Sequence, residues 1–324
     1  MNQREELQKL YDLLDEKILC LRKARVIETD TLVRFKLDKQ IELEEEEHRK
    51  IAQQIDNLES VACSEELYRA LLKLGYREQV RSFLKFLKAQ SIGAFLIHGL
   101  LDYGQRWLLN RLVTQHIRFG TMGKMVRIEL DRIGRRRDIS ALWRELAGCV
   151  GLGRQHSRTE ITERVFQWWK TQNVILVFHY VDCMPEGYLQ ELLRDFWLPL
   201  ATQAREVVSQ TKFQLLMFLV DYEGCVGCQD TMFVEQVEPT WEPRVPIKLP
   251  TINPFCDRTL TDWMEMVETE FHTLPLVEVI YQMEDLVKEI LENSDNGVPE
   301  LAFSEICDLC GCNWYEERER WLKI

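Results

Sequence analysis

The sequence predicts an α/β fold: a mostly parallel sheet covered by helices, with a helical hairpin before it and a helical lid after it. Three observations carry this. Near-continuous apolar runs at Ala94–His98, Met125–Leu130, Val174–Val181 and Phe213–Val220 alternate with amphipathic stretches. That is the pattern of strands buried on both faces and joined by crossover helices. Residues 1–60 repeat apolar side chains every three to four positions, and the chain beyond Asn253-Pro254 is helical in pattern to its end.

In chain order, Leu7, Leu10/Tyr11, Leu14, Ile18 and Leu21 make one face of a first helix. Thr29-Asp30-Thr31 breaks and caps it. Leu37, Ile41, Ile51, Ile55 and Leu58 recur near heptad spacing in a second helix, with Glu44 and His48 interrupting the seam. Such a hairpin buries little alone and needs a partner: the rest of the chain, a second copy or another protein. Leu14, Ile18, Leu37 and Ile41 are the expected interface residues. Ser64-Glu65-Glu66 starts a further helical stretch to Gln90, divided at Gly75. Helices are expected between the strands at Gln105–Ile117, Asp138–Val150, Glu160–Thr171 and Glu186–Ser209, with a fifth strand at Val245–Leu249. The lid helices are Thr261–Thr273, Pro275–Glu292, Leu301–Cys310 and Trp314–Ile324, and Asn293–Gly297 breaks two of them. The expected domains are 1–60, 61–253 and 254–324.

Of the 324 residues, 46% are hydrophobic and 29% charged, with a net charge of −12. That balance argues against non-specific binding to nucleic acid or an anionic membrane. The apolar runs are far short of the ~20 residues that span a bilayer, and the polar start MNQREELQK shows no signal peptide, so a cytoplasmic protein is expected. The ten cysteines read as reduced thiols in a chain able to build a large core. Two C-x-x-C pairs, Cys225/Cys228 and Cys307/Cys310, are candidate zinc ligands by type. Their separation, and the helical pattern around Cys307, favour thiols with no metal.

The stretch that organises the chain is Ala94–Leu112. An apolar strand ends at His98, and Gly99-Leu-Leu-Asp-Tyr-Gly104-Gln105-Arg106 follows, then an amphipathic helix. The glycines keep the spacing of the phosphate-binding loop G-x-x-x-x-G-K-[ST], whose lysine meets the β and γ phosphates and whose hydroxyl holds Mg²⁺. Gln105 stands at the lysine position and Arg106, with no lone pair for a metal, at the hydroxyl position. The strand Val174–Val181 ends in His179 and Tyr180, with only Asp182 beyond, where such enzymes place their acids. Neither ring replaces a hard-cation carboxylate. Asp221-Tyr222-Glu223-Gly224, after the last long strand, reads as a turn.

Loop, strand end, sensor-like strand and lid follow the order of the STAND class of P-loop NTPases. Gly104-Gln-Arg-Trp-Leu108, Leu216-Met-Phe-Leu-Val-Asp221 and Gly75-Tyr76-Arg-Glu-Gln79 resemble the inactive STAND domains of bacterial, especially cyanobacterial, conflict systems. The resemblance covers roughly residues 65–324, and residues 1–60 resemble the small helical adaptors that accompany such domains. It implies a P-loop NTPase-like scaffold that has lost hydrolysis, needs no cofactor, and signals through protein partners or as a homo-oligomer.

The expected function is therefore a non-catalytic signalling or assembly protein. A second reading is a nucleotide-binding switch without hydrolysis, with Arg106 meeting phosphate directly. A nucleic-acid reading would use Lys124, Arg127, Arg132 and Arg135–Arg137, a basic run more often solvated or paired on an acidic chain. A hydrolase reading lacks a triad or metal motif. Cys183 lies four residues from His179, which does not by itself make a dyad.

Overall fold

The computed structural model describes residues 3–118, 123–134, 138–153, 156–226, 232–235, 242–271, 274–279, 282–322 and 324. The chain opens with α1 (Gln3–Ile27) and α2 (Thr31–Leu71). Asp30 caps α2 by accepting from the backbone N–H groups of Leu32 and Val33. Then come α3 (Arg77–Ala89), β1 (Ile92–His98), α4 (Gln105–Arg111), β2 (Lys124–Glu129), α5 (Asp131–Gly134), α6 (Ile139–Cys149), α7 (Arg158–Trp169) and β3 (Val174–His179). They are followed by α8 (Glu186–Leu192), α9 (Leu198–Val207), β4 (Leu215–Asp221) and β5 (Ile247–Lys248). The chain closes with α10 (Asp257–Glu270), α11 (Leu276–Val279), α12 (Met283–Asn293), α13 (Pro299–Leu309) and α14 (Trp314–Trp321).

The five strands form one parallel sheet in the order β2-β3-β4-β1-β5. β1, β3 and β4 are apolar up to their last residues because both faces are covered. Phe95, Ile97, Leu216, Phe218 and Val220 point into a core shared with α3, α4, the end of α2 and the lid. Their neighbours Ala94, Leu96, Leu215, Met217 and Leu219 point to the opposite core under α6, α7 and α9. This alternation of buried faces is the strand period of two applied twice. The edge strand β2 shows the contrast, since its Lys124 and Arg127 are exposed.

Helix boundaries differ from expectation in several places. The helices expected at Gln105–Ile117 and Glu186–Ser209 carry π-helical turns, at Leu112–His116 after α4 and at Leu193–Trp197 between α8 and α9. Ser64 starts no helix: α2 runs unbroken for 41 residues, about 60 Å at 1.5 Å per residue. The Ser64 hydroxyl donates instead to Glu317 Oε2 of α14 (2.6 Å), so a tertiary contact uses the side chain that mimicked a cap. α10 begins at Asp257 rather than Thr261, behind Cys256, which makes no side-chain cap and so left no signal. The single helix expected over Pro275–Glu292 is two, α11 and α12. The Asn293–Gly297 break forms, with Asp295, Asn296 and Gly297 all at positive φ. Gly297 also has no room for a side chain, because a Cβ there would lie 2.0 Å from the Phe255 carbonyl oxygen.

The hairpin seam is closed by its own residues. Leu14, Ile18, Ile41, Ile51 and Ile55 are buried between α1 and α2. The two interruptions are accommodated there in part: Glu44 pairs with Lys17 (2.6 Å) and His48 stacks on Tyr11 with ring centroids 4.0 Å apart, while Glu44 Oε2 and His48 Nε2 are buried without a hydrogen-bond partner among the described residues. Among the described residues no helix is long and apolar enough to cross a membrane.

Candidate functional site

β1 delivers the glycine frame to the C-terminal end of the sheet, where open α/β sheets form their ligand crevices. Its last residue, His98, is buried, with Nε2 2.9 Å from the Leu249 carbonyl oxygen. Burial holds its pKa below the usual histidine value. In the loop that follows, the Tyr103 N–H donates to the Leu100 carbonyl (3.2 Å). Leu100 and Leu101 are exposed, and Gly104 enters α4 with φ +73. A Cβ on Gly104 would lie 2.2 Å from the Tyr76 hydroxyl, which itself donates to the Tyr103 carbonyl (3.1 Å). From the lid, the Glu300 N–H donates to the Asp102 carbonyl (3.0 Å).

The side chains at the decisive positions are turned to structural work. Gln105 is buried, and its amide donates to the Gly99 and Leu100 carbonyls (2.9 and 2.8 Å). Arg106 reaches Glu129, the last residue of β2 (3.0 Å). Its Nε is buried without a hydrogen-bond partner among the described residues.

Next to this pair lie the residues at the end of β3. His179 is fully buried, its Nδ1 sharing a hydrogen bond with the Tyr222 hydroxyl (2.8 Å). Desolvation, with Arg106 and Arg127 adding to it, holds the imidazole pKa down at about 3, so the ring is neutral at pH 7. Tyr180 takes a left-handed backbone and packs on Tyr222 at 4.5 Å between centroids. Desolvation raises the Tyr222 phenol far above its ordinary value. Asp182 accepts from the Tyr222 backbone N–H (2.8 Å). The Cys183 thiol is pushed up to about 11, first by burial and then by Asp182, which leaves it protonated and a poor nucleophile. The thiol donates to Asp182 Oδ2 (3.5 Å) and not to His179, whose Nδ1 meets Tyr222 and whose Nε2 is buried without a hydrogen-bond partner among the described residues.

Sequence reasoning placed Gly99, Gly104, Gln105, Arg106, His179, Tyr180 and Asp182 at this end of the sheet, and the fold brings them together. It missed Glu129 as the partner of Arg106 and Tyr222 as the hub of the strand-end cluster. The β3/β4 register, His179 opposite Val220, carries Tyr222 to the histidine, and no local spacing reveals that. Asp221 does hold a turn, as read. It is fully buried, and its carboxylate accepts from the backbone N–H groups of Glu223 (3.1 Å), Gly224 (2.8 Å) and Val226 (2.8 Å).

Two expected sites are placed differently. Leu14, Ile18 and Ile41 lie inside the hairpin and Leu37 is half-buried, so these residues hold α1 to α2 and are not an outer surface. Seam spacing identified the right helical face, and the intramolecular partner claimed it. Of the zinc candidates, Cys307 and Cys310 are buried in the lid core and Cys225 is exposed. Cys228 lies outside the described residues, as do Arg135–Arg137 of the basic run. Among the described residues no three His, Cys, Asp or Glu side chains are grouped to hold a metal.

The buried neutral His179 makes the fold acid-sensitive. Its folded pKa lies below the unfolded value of about 6.5, so its contribution to stability is intact above pH 6.5. As pH falls toward 3 the unfolded chain takes a proton that the folded one refuses, and stability drops by up to about 1.4 kcal/mol per pH unit from this group. Urea unfolding at pH 7 and pH 5 should show that loss, and His179→Asn should lessen it.

Comparison with known proteins follows the geometry. None of the curated proteins matches the chain. Among solved structures it is similar to a Walker-type ATPase of Pyrococcus abyssi (14% identity, 76% of this chain and 71% of that one, TM-score 0.40). It is also similar to the ORC1 protein of Aeropyrum pernix, solved in complex with DNA (14% identity, 73% of this chain and 66% of that one, TM-score 0.37). A third is Rif2 of Saccharomyces cerevisiae (11% identity, 77% and 83%, TM-score 0.34). Over residues 71–220, which hold the glycine frame, His179, Tyr180 and Asp182, and β1 to β4 as far as Val220, the chain matches the family described as inactive STAND.

Proposed function

We propose that this chain is a non-catalytic, STAND-derived scaffold that signals or assembles through protein contacts in a bacterial defence or stress-signalling system. One observation supports this most: the side chains that follow the glycine frame are bonded within the chain. The Gln105 amide donates to two loop carbonyls, and Arg106 is engaged by Glu129. On this reading residues 61–253 and the lid 254–324 are a rigid body, and the N-terminal hairpin, residues 1–60, is the docking module. The setting is cytoplasmic, and no cofactor is needed.

The test is a thermal-shift titration with ATP, ADP and GTP, with and without Mg²⁺. A ligand at 100 times its dissociation constant adds about 2.7 kcal/mol to stability, so a working site would move the melting temperature by several degrees; no shift is expected. Metal-independent stabilisation that vanishes in Arg106→Ala would replace this reading with a nucleotide-binding switch that does not hydrolyse.

A further inference from the structure

The outer face of α1 carries a second apolar stripe, separate from the buried seam. Leu10, Leu13, Lys17, Cys20, Ala24 and Ile27 alternate by three and four residues, the a and d spacing of a coiled-coil seam. All six are exposed, Leu13 by 63% and Ile27 by 80%. The one cation, Lys17, turns its amine to Glu44 of its own hairpin (2.6 Å) and leaves its methylene stem along the stripe. We propose that this face binds the same face of a second copy, with the two α1 helices antiparallel. The proposal rests on reading residues 1–60 as a docking module and names its partner.

Charge selects both the partner and the orientation. With Leu10 opposite Ile27 of the second copy and Leu13 opposite Ala24, the arrangement is two-fold symmetric, and each small residue faces a large one. The flanking g positions are then Lys9 at the end of the seam and Glu16 and Lys23 within it, and each Glu16 meets the Lys23 of the other copy. Both are exposed. The ion pairs between α1 and α2 among the described residues use Lys17–Glu44, Arg22–Glu45 and Arg25–Asp38 instead. A parallel pairing would set Lys17 against Lys17 at the centre of the seam and give Glu16 no cation. Like charges placed opposite one another disfavour that register.

Sedimentation equilibrium of the full chain tests this. A mass twice 38.5 kDa is expected at micromolar concentration. Leu13→Glu, at an exposed site, should raise the dimer dissociation constant at least about tenfold with unchanged circular dichroism. Glu16→Lys alone should weaken the dimer, and Glu16→Lys with Lys23→Glu in the same chain should restore it. A monomer up to about 100 µM, a dimer indifferent to Leu13→Glu, or a charge swap that does not rescue would overturn the inference. A monomer that shows no nucleotide shift removes the dimer and leaves the scaffold reading standing. A dimer that is stabilised by nucleotide keeps this inference and removes that reading.

Discussion

Trp107→Ala should lower stability by about 3–5 kcal/mol, the range for emptying a large aromatic from a packed core. Trp107 is fully buried in the helix that follows the glycine frame. Its ring meets Phe303 and Trp314 at 5.3 Å each, Tyr68 at 5.7 Å and Trp321 at 6.1 Å between centroids. Those partners belong to α13, α14 and α2, so one indole joins the loop helix, the lid and the end of the hairpin. Denaturant unfolding should show a lower midpoint. Limited proteolysis should release the lid first, because its docking depends on this cluster. Trp107→Phe should cost much less, since a smaller aromatic keeps most contacts. It also removes an indole N–H that is buried without a partner among the described residues.

Asp221→Ala is expected to be comparably damaging, at about 3–5 kcal/mol, for a different reason. A buried N–H left without an acceptor costs about 1–3 kcal/mol; the Val226 N–H is buried and those of Glu223 and Gly224 are partly buried, and all three lose this carboxylate. The consequence should reach the strand-end cluster. The turn it holds begins at Tyr222, whose hydroxyl is bonded to His179. Freeing that turn should admit water to the imidazole and move its pKa from about 3 up toward the ordinary value. NMR titration of the His179 ring in the variant would read this directly. An unshifted histidine would show that Tyr222 is held in place by other contacts.

The fold was legible in the sequence to an unusual depth at its centre and less at its margins. The central strands β1, β3 and β4 follow from runs such as Val174–His179 and Leu215–Asp221, because a strand covered on both faces is apolar at nearly every position. The glycine frame was equally plain, since Gly104 alone tolerates both φ +73 and the Tyr76 hydroxyl. Helix starts failed where the local signal was weak or diverted, as at Cys256 and Ser64. Ser64 has cap chemistry, and α2 passed through it because Glu317, distant in sequence, took its hydroxyl.

The sequence by itself determined the α/β class, the position of the loop, and the residue types that stand after its glycine frame and at the end of β3. Those are properties of local period and side-chain chemistry. Only the tertiary structure decided what these residues do instead. Gln105 turns onto its own loop, Arg106 finds Glu129 across the sheet, and His179 is kept neutral under Tyr222. The structure also decided that Leu14 and Ile18 are spent inside the hairpin, which leaves Leu13 and Ile27 facing outward. A helix has several apolar stripes open to it in principle, and which one is buried depends on the surface that folds against it. That surface is set by contacts across the chain, which no local pattern contains.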